Sequence, residues 1–193
     1  MGSQWGRDKV HLRAKQEGYR SRAAYKLIEI QHQFEVIRRS DNIIDLGAAP
    51  GSWLQVARTL TDGRVLGIDL NTIPPMEGVE SIEGDLSDPE IQVLAKSALG
   101  VVNVVLSDAS PKLSGHKSYD QARAIALGEE SLGFACSVLK YGGNFVVKSF
   151  QGSDFPELLL QTRRHFHSVR TFVTQATRKG STELYIIAKN FTG

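Results

Sequence analysis

Between residues 41 and 148 short apolar runs alternate with segments whose apolar positions recur every three or four residues. Ile43-Ile44-Asp45-Leu46, residues 64–69, Val79–Glu83, Val101–Leu106 and Asn144–Lys148 read as strands, while Ser52–Leu60, Pro89–Ala98 and Tyr119–Leu139 read as helices. The strand runs are apolar on both faces, as in a sheet covered on both sides, and their alternation with helices predicts a mostly parallel arrangement. The class is α/β. After a helix around Phe155–Phe166, Arg170–Thr174 and Leu184–Lys189 both read as strands and predict a terminal antiparallel hairpin.

The first forty residues follow another pattern. Residues 1–18 carry no sustained periodicity and read as an extended or poorly ordered arm. A helix is then expected from an N-cap at Ser21, with Ala24, Leu27, Ile28 and Phe34 forming its apolar stripe and Lys26 beside it. No repeat or linker divides the 193 residues, so one domain with a basic N-terminal arm is predicted, and a monomer.

Composition narrows the function. No apolar run reaches the roughly 18 residues of a membrane span, and the opening Met-Gly-Ser-Gln-Trp-Gly lacks a signal peptide's apolar centre, so a cytoplasmic protein without membrane contact is expected. Cys136 is the only cysteine, which rules out an intrachain disulfide, and the five histidines are dispersed, so no metal is expected. The net charge is only +2, but residues 1–40 hold nine Lys/Arg against four Asp/Glu, and the remainder fourteen against seventeen. A basic arm ahead of a near-neutral domain suits a phosphate backbone, and a solvated leader would have the same composition. Arg7, Lys9, Arg13, Lys15, Arg20 and Arg22 in the arm, with Lys112 and Lys117 after Asp108, are the candidate nucleic-acid contacts.

The chemistry concentrates where strands end. Asp45-Leu46-Gly47-Ala48-Ala49-Pro50-Gly51 joins a strand to a helix, and its small residues let a ligand approach the backbone. Asp69 closes the next strand 24 residues after Asp45, where an acid can accept hydrogen bonds from ribose hydroxyls. The loop is Gly-x-x-x-Gly with proline inside, unlike the Gly-x-Gly-x-x-Gly of dinucleotide enzymes, which disfavours a nicotinamide oxidoreductase. With Asp85 and Asp108 the edge of the sheet gathers four acids, a setting for a cationic sulfonium rather than a diphosphate. One of the four, Asp45 first among them, is expected simply to cap a loop or helix.

These residues resemble the FtsJ/RrmJ (RlmE) family of ribose 2′-O-methyltransferases. The resemblance rests on Ser21–Leu27, Asp45–Trp53, Ser107-Asp108-Ala109-Ser110-Pro111, Val147-Lys148-Ser149-Phe150 and Ser181–Tyr185, and spans nearly the whole chain. Ser52 stands where the family usually has a second glycine. The resemblance implies a Rossmann-like class I methyltransferase fold with a mostly parallel seven-stranded sheet, S-adenosylmethionine as methyl donor, and a uridine of large-subunit ribosomal RNA, or the ribosomal subunit itself, as substrate. It implies a catalytic set of Lys26, Asp108, Lys148 and Glu183, with Lys148 as proton acceptor. Donor contacts are implied at Gly51, Trp53, Asp69, Asp85 and Asp108, and the loop itself makes Gly47 a further candidate. Two neighbouring lysines would make a neutral amine accessible near neutral pH; Asp108 and Lys26 would orient hydroxyl and amine, and Glu183 would hold the lysines. The competing readings are a tRNA or cap enzyme on the same fold and a catalytically idle RNA-binding assembly factor.

Overall fold

The computed structural model describes residues 9–111, 114–115, 117–177 and 180–193. The chain runs α1 (Lys9–Gln16), α2 (Ala24–Phe34), β1 (Ile43–Leu46), α3 (Ser52–Leu60), β2 (Val65–Asp69), β3 (Val79–Glu83), α4 (Pro89–Leu99) and β4 (Val102–Ser107). It continues through α5 (Lys117–Val138), β5 (Leu139–Phe150), α6 (Phe155–His165), β6 (Phe166–Phe172) and β7 (Glu183–Phe191). All seven strands join one sheet in the order β3-β2-β1-β4-β5-β7-β6. The pairings from β3 to β5 are parallel, and β7 lies antiparallel to both β5 and β6. The expected hairpin forms with its second strand inside, because β7 is the more apolar partner and is buried over most of its length.

The sheet separates two cores. On one face Leu27 and Ile30 of α2 and Trp53, Leu54 and Val56 of α3 pack on Ile43, Val104, Leu106, Val146 and Ile187. On the other, Ile91 and Leu99 of α4, Leu132 and Phe134 of α5 and Leu158 of α6 cover Ile44, Leu46, Val105 and Val147. Alternation along each strand divides its side chains between the faces. α4 shows clear boundary chemistry: the Asp88 carboxylate accepts from Glu90 N, Pro89 occupies the first turn, and Gly100 ends the helix at φ 68°.

Three sequence expectations need correction. Residues 9–16 are helical, not extended; among the described side chains of the helix only Ala14 is buried, so no apolar stripe announces the helix, which the Arg13–Glu17 pair at 2.7 Å and a Tyr25 hydroxyl donating to Glu17 support instead. Ser21 does not cap α2. The helix starts at Ala24 after a turn, with the Ser21 hydroxyl accepting from Ala23 N, and Ile30 rather than the exposed Ile28 faces the core. β5 begins at Leu139, earlier than the expected Asn144, because residues 140–143 form an irregularity within the strand.

Candidate active site

The strand order reverses between β1 and β4, so the loops leaving these strands diverge at their carboxyl ends. A crevice of about 610 Å³ opens there, walled by Gly47 and Ala49 after β1, Asp69–Asn71 after β2, Gly84–Leu86 after β3 and Asp108–Pro111 after β4. Arg123, Ala126, Leu127 and Glu130 of α5 close the remaining side. Among the described residues the lining holds four carboxylates, Asp69, Asp85, Asp108 and Glu130, against the single cation Arg123. Such a wall favours a cationic ligand.

The acids are individually placed. Asp69 Oδ2 accepts from Ala49 N at 2.9 Å and Oδ1 from Asn71 N and Nδ2, so Asp69 joins the two loops and retains only part of its acceptor capacity for a ligand. The backbone N–H and hydroxyl of Ser87 both donate to Asp85 Oδ1, which holds that carboxyl below its ordinary range. Asp45 caps nothing. It is 1 % exposed, neither carboxylate oxygen has a hydrogen-bond partner in the protein, and burial, then Asp108, then Asp69, push its pKa well above the ordinary value. A buried carboxyl without donors, behind a wall of carboxylates, fits a site that receives positive charge.

Beside the crevice, side chains from four separate segments converge. Lys148 and Tyr185 face each other across the β5–β7 ladder, and Glu183 follows Tyr185's face two residues away. Lys26 reaches them from α2. Its ammonium lies 2.7 Å from Glu183 Oε1 and 3.9 Å from Asp108 Oδ1, while Lys148 Nζ lies 3.3 Å from the same Asp108 oxygen and donates to the Asp108 carbonyl at 2.5 Å. The Tyr185 hydroxyl donates to Asp108 Oδ1 at 2.7 Å, and Lys26 sits 5.7 Å from the centre of the Tyr185 ring. Burial, then Asp108 and Glu183, keep the Tyr185 phenol neutral far above its ordinary pKa, so it remains a donor. Asp108 is the hub: it contacts both lysines and the phenol and also lines the crevice.

The sequence matches the FtsJ-like methyltransferase family over residues 19–191, a range that contains every group just described. The chain belongs to the FtsJ-like methyltransferases. The ribosomal RNA large subunit methyltransferase E of Methanoregula boonei is 74% identical, with all of both chains aligned. That of Methanosphaerula palustris is 65% identical over 100% of this chain and 95% of the relative. A solved structure described as a ribosomal RNA methyltransferase from Plasmodium falciparum superposes with TM-score 0.80 at 30% identity, covering 91% of this chain and all of that one. A Streptococcus mutans structure, described as a methyltransferase with bound SAH, reaches TM-score 0.55 at 13% identity over 84% of this chain and 96% of that one, a likeness of fold.

Not every expected residue of this FtsJ-like methyltransferase reaches the crevice. Gly47, Asp69, Asp85 and Asp108 line it; Gly51 and Trp53 do not. The Trp53 ring is buried in the α2/α3 core against Tyr185, and its indole N–H donates to Ala23 O, so only its backbone at the head of α3 faces the loop. Of the expected RNA contacts, Arg13 is held by Glu17, and Lys15 is exposed beside His11, Tyr19 and Ser21 in a recess of about 330 Å³. Arg22 is half-buried. The Arg20 guanidinium donates to three backbone carbonyls. Arg7 and Lys112 lie outside the described residues, as do the side chains of Lys9 and Lys117. Tyr185 received no role from the sequence; its signal was position, two residues after Glu183 on a strand.

Gly47 sits at φ 68°, and a Cβ there would lie 2.5 Å from Ala109 Cβ. Gly47→Ala is expected to destabilise the fold by about 1–3 kcal/mol through the left-handed backbone alone. Displacing Ala109, a crevice residue, should also weaken S-adenosylhomocysteine binding by about tenfold or more. Titration calorimetry with a parallel thermal melt measures both, and wild-type affinity would show that the loop tolerates the added methyl.

Proposed function

We propose that this chain transfers a methyl group from S-adenosylmethionine to the ribose 2′-hydroxyl of a uridine in large-subunit ribosomal RNA. The observation that carries the reading is the convergence of Lys26 and Lys148 on Asp108, which itself lines the acid-walled crevice. The relatives named for the ribosomal large subunit, aligned over the full chain, support the substrate. An enzyme with this substrate acts in the cytoplasm, on the RNA or on the assembling subunit, and a monomer carries the complete set of groups. The acidic wall fits the donor better than a dinucleotide, whose phosphates it would repel.

When bound, S-adenosylmethionine supplies an electrophilic methyl whose bonding electrons leave with sulfur as a neutral thioether. A ribose hydroxyl is weakly acidic, so its attack needs orientation and a proton acceptor. Lys148 accepts the hydroxyl proton, its position held by the Asp108 carbonyl and carboxylate. Lys26, tied to Glu183, keeps a positive charge near the oxygen that gains electron density. Glu183 thus holds Lys26, and Asp108 holds Lys148, a division of labour the sequence did not separate. Tyr185 fixes the Asp108 carboxylate by donating to the same Oδ1 that the lysines approach. Asp69 and Asp85 are the acceptors for donor ribose and adenine, respectively.

The test supplies labelled S-adenosylmethionine with purified large ribosomal subunits, their protein-free RNA, and bulk tRNA. Label is expected at a uridine ribose of the large-subunit RNA, recovered as an alkali-resistant dinucleotide. Label in tRNA or on a base would overturn the substrate assignment.

A further inference from the structure

Arg20 lies outside the crevice, on the turn between α1 and α2, yet its guanidinium joins two of the crevice's loops. Nη1 donates to Pro50 O at 2.9 Å and to Pro74 O at 2.8 Å, and Nη2 donates to Pro75 O at 2.8 Å. Pro50 belongs to the loop after β1; Pro74 and Pro75 belong to the loop after β2 that begins with Asp69, Leu70 and Asn71. Inside the crevice the same loops are joined by Ala49 N donating to Asp69 Oδ2 at 2.9 Å. Arg20 is the outer member of a double tie.

The arginine is itself fixed at both flanks. Its backbone N–H donates to Gln55 Oε1 at 2.8 Å, Gln55 Nε2 donates to Gly18 O at 2.9 Å, and the Ser21 and Ser52 hydroxyls are bonded at 2.7 Å. Gly51, at φ 103°, passes so close that a Cβ would lie 2.6 Å from Arg20 Nη1. Prolines at the three accepting positions restrict the backbone dihedrals, so each carbonyl has a narrow range of direction. A planar fork with five N–H groups can serve carbonyls on two loops at once; a lysine ammonium reaches them only as a point charge.

We propose that Arg20 is a positioning residue for the methyl donor, setting the separation of the β1 and β2 loops that wall its site. This rests on the donor assignment made above. Arg20 is not part of the crevice lining and acts through Pro50, Pro74 and Pro75.

Full-length wild type, Arg20→Ala and Arg20→Lys are titrated calorimetrically with S-adenosylhomocysteine, and assayed for methyl transfer and for RNA binding across a salt series. Both variants should bind S-adenosylhomocysteine about ten- to a hundredfold more weakly, since one displaced loop is enough to misplace the donor. The KM for S-adenosylmethionine should rise, with kcat at saturation close to wild type. RNA affinity and its salt slope should stay close to wild type, because the guanidinium is engaged by the Pro50, Pro74 and Pro75 carbonyls. Amide exchange at residues 47–52 and 70–76 should accelerate in Arg20→Lys, which keeps the charge and serves as the comparison if Arg20→Ala does not fold. Unchanged affinity in folded Arg20→Lys overturns the proposal, as does loss of RNA affinity with donor binding intact. If wild type itself fails to bind S-adenosylhomocysteine, the donor assignment fails, which is a separate result.

Discussion

Replacing Lys148 with Ala is expected to reduce methyl transfer by about a thousandfold or more, the upper part of the range for loss of a positioned proton acceptor. S-adenosylhomocysteine binding should stay close to wild type, since Lys148 lies beside the crevice and is not part of its lining. The alanine variant alone leaves two explanations. Lys148 is 8 % exposed and pairs with Asp108, so its removal also disturbs a buried charge cluster. Lys148→Arg separates them: a guanidinium retains the positive charge beside Asp108 but does not release a proton under assay conditions. Both variants should therefore be inactive, with thermal melts nearer to wild type for arginine than for alanine. Single-turnover assays at saturating donor and RNA make the comparison. Substantial turnover by Lys148→Arg would show that the residue acts through its charge, and the proton would have to go elsewhere.

The strands β1 to β4 and helix α3 could be read directly because each is a contiguous run whose burial matches its own composition; β1, buried at all four positions, has no polar residue except Asp45. α1 was not legible, since a helix docked through Ala14 alone has no apolar period to detect. The proposed catalytic cluster draws on α2, the β4 exit, β5 and β7, and no local spacing connects Lys26 to Glu183; only the family resemblance grouped the four residues, before the register of β5 on β7 placed Lys148 near Glu183 and the docking of α2 brought Lys26 to it. Arg20 illustrates the opposite limit. Its charge is plain in the sequence, and charge alone pointed to phosphate, whereas its partners are backbone carbonyls 30 to 55 positions away that no composition reveals.

Asp45 should make the stability of the protein fall as pH rises. In the unfolded chain its carboxyl ionises near the ordinary value of 3.8; in the fold, burial without a hydrogen-bond partner and the nearby Asp108 and Asp69 raise its pKa well above that. Above the unfolded pKa the unfolded state therefore binds fewer protons than the native one. Stability then declines by about 1.4 kcal/mol per pH unit until the pH passes the folded pKa, and this loss is absent below the unfolded pKa. An asparagine side chain does not titrate, so the stability of Asp45→Asn relative to wild type should improve as the pH rises above about 4 and level off once it passes the folded pKa, whatever the fixed cost of burying an amide. Urea denaturation at several pH values reads the difference, and parallel profiles for the two proteins would mean that Asp45 ionises in the fold as readily as outside it. A buried carboxyl whose ionisation opposes folding needs a compensating role, and the crevice supplies one by linkage: positive charge arriving beside Asp69 and Asp108 favours the Asp45 carboxylate over the acid. Binding of a cationic donor should accordingly release protons in wild type and fewer in Asp45→Asn, measured as the dependence of binding enthalpy on buffer ionisation. Equal proton release by both proteins would assign the linkage to another group and leave Asp45 as a purely structural cost.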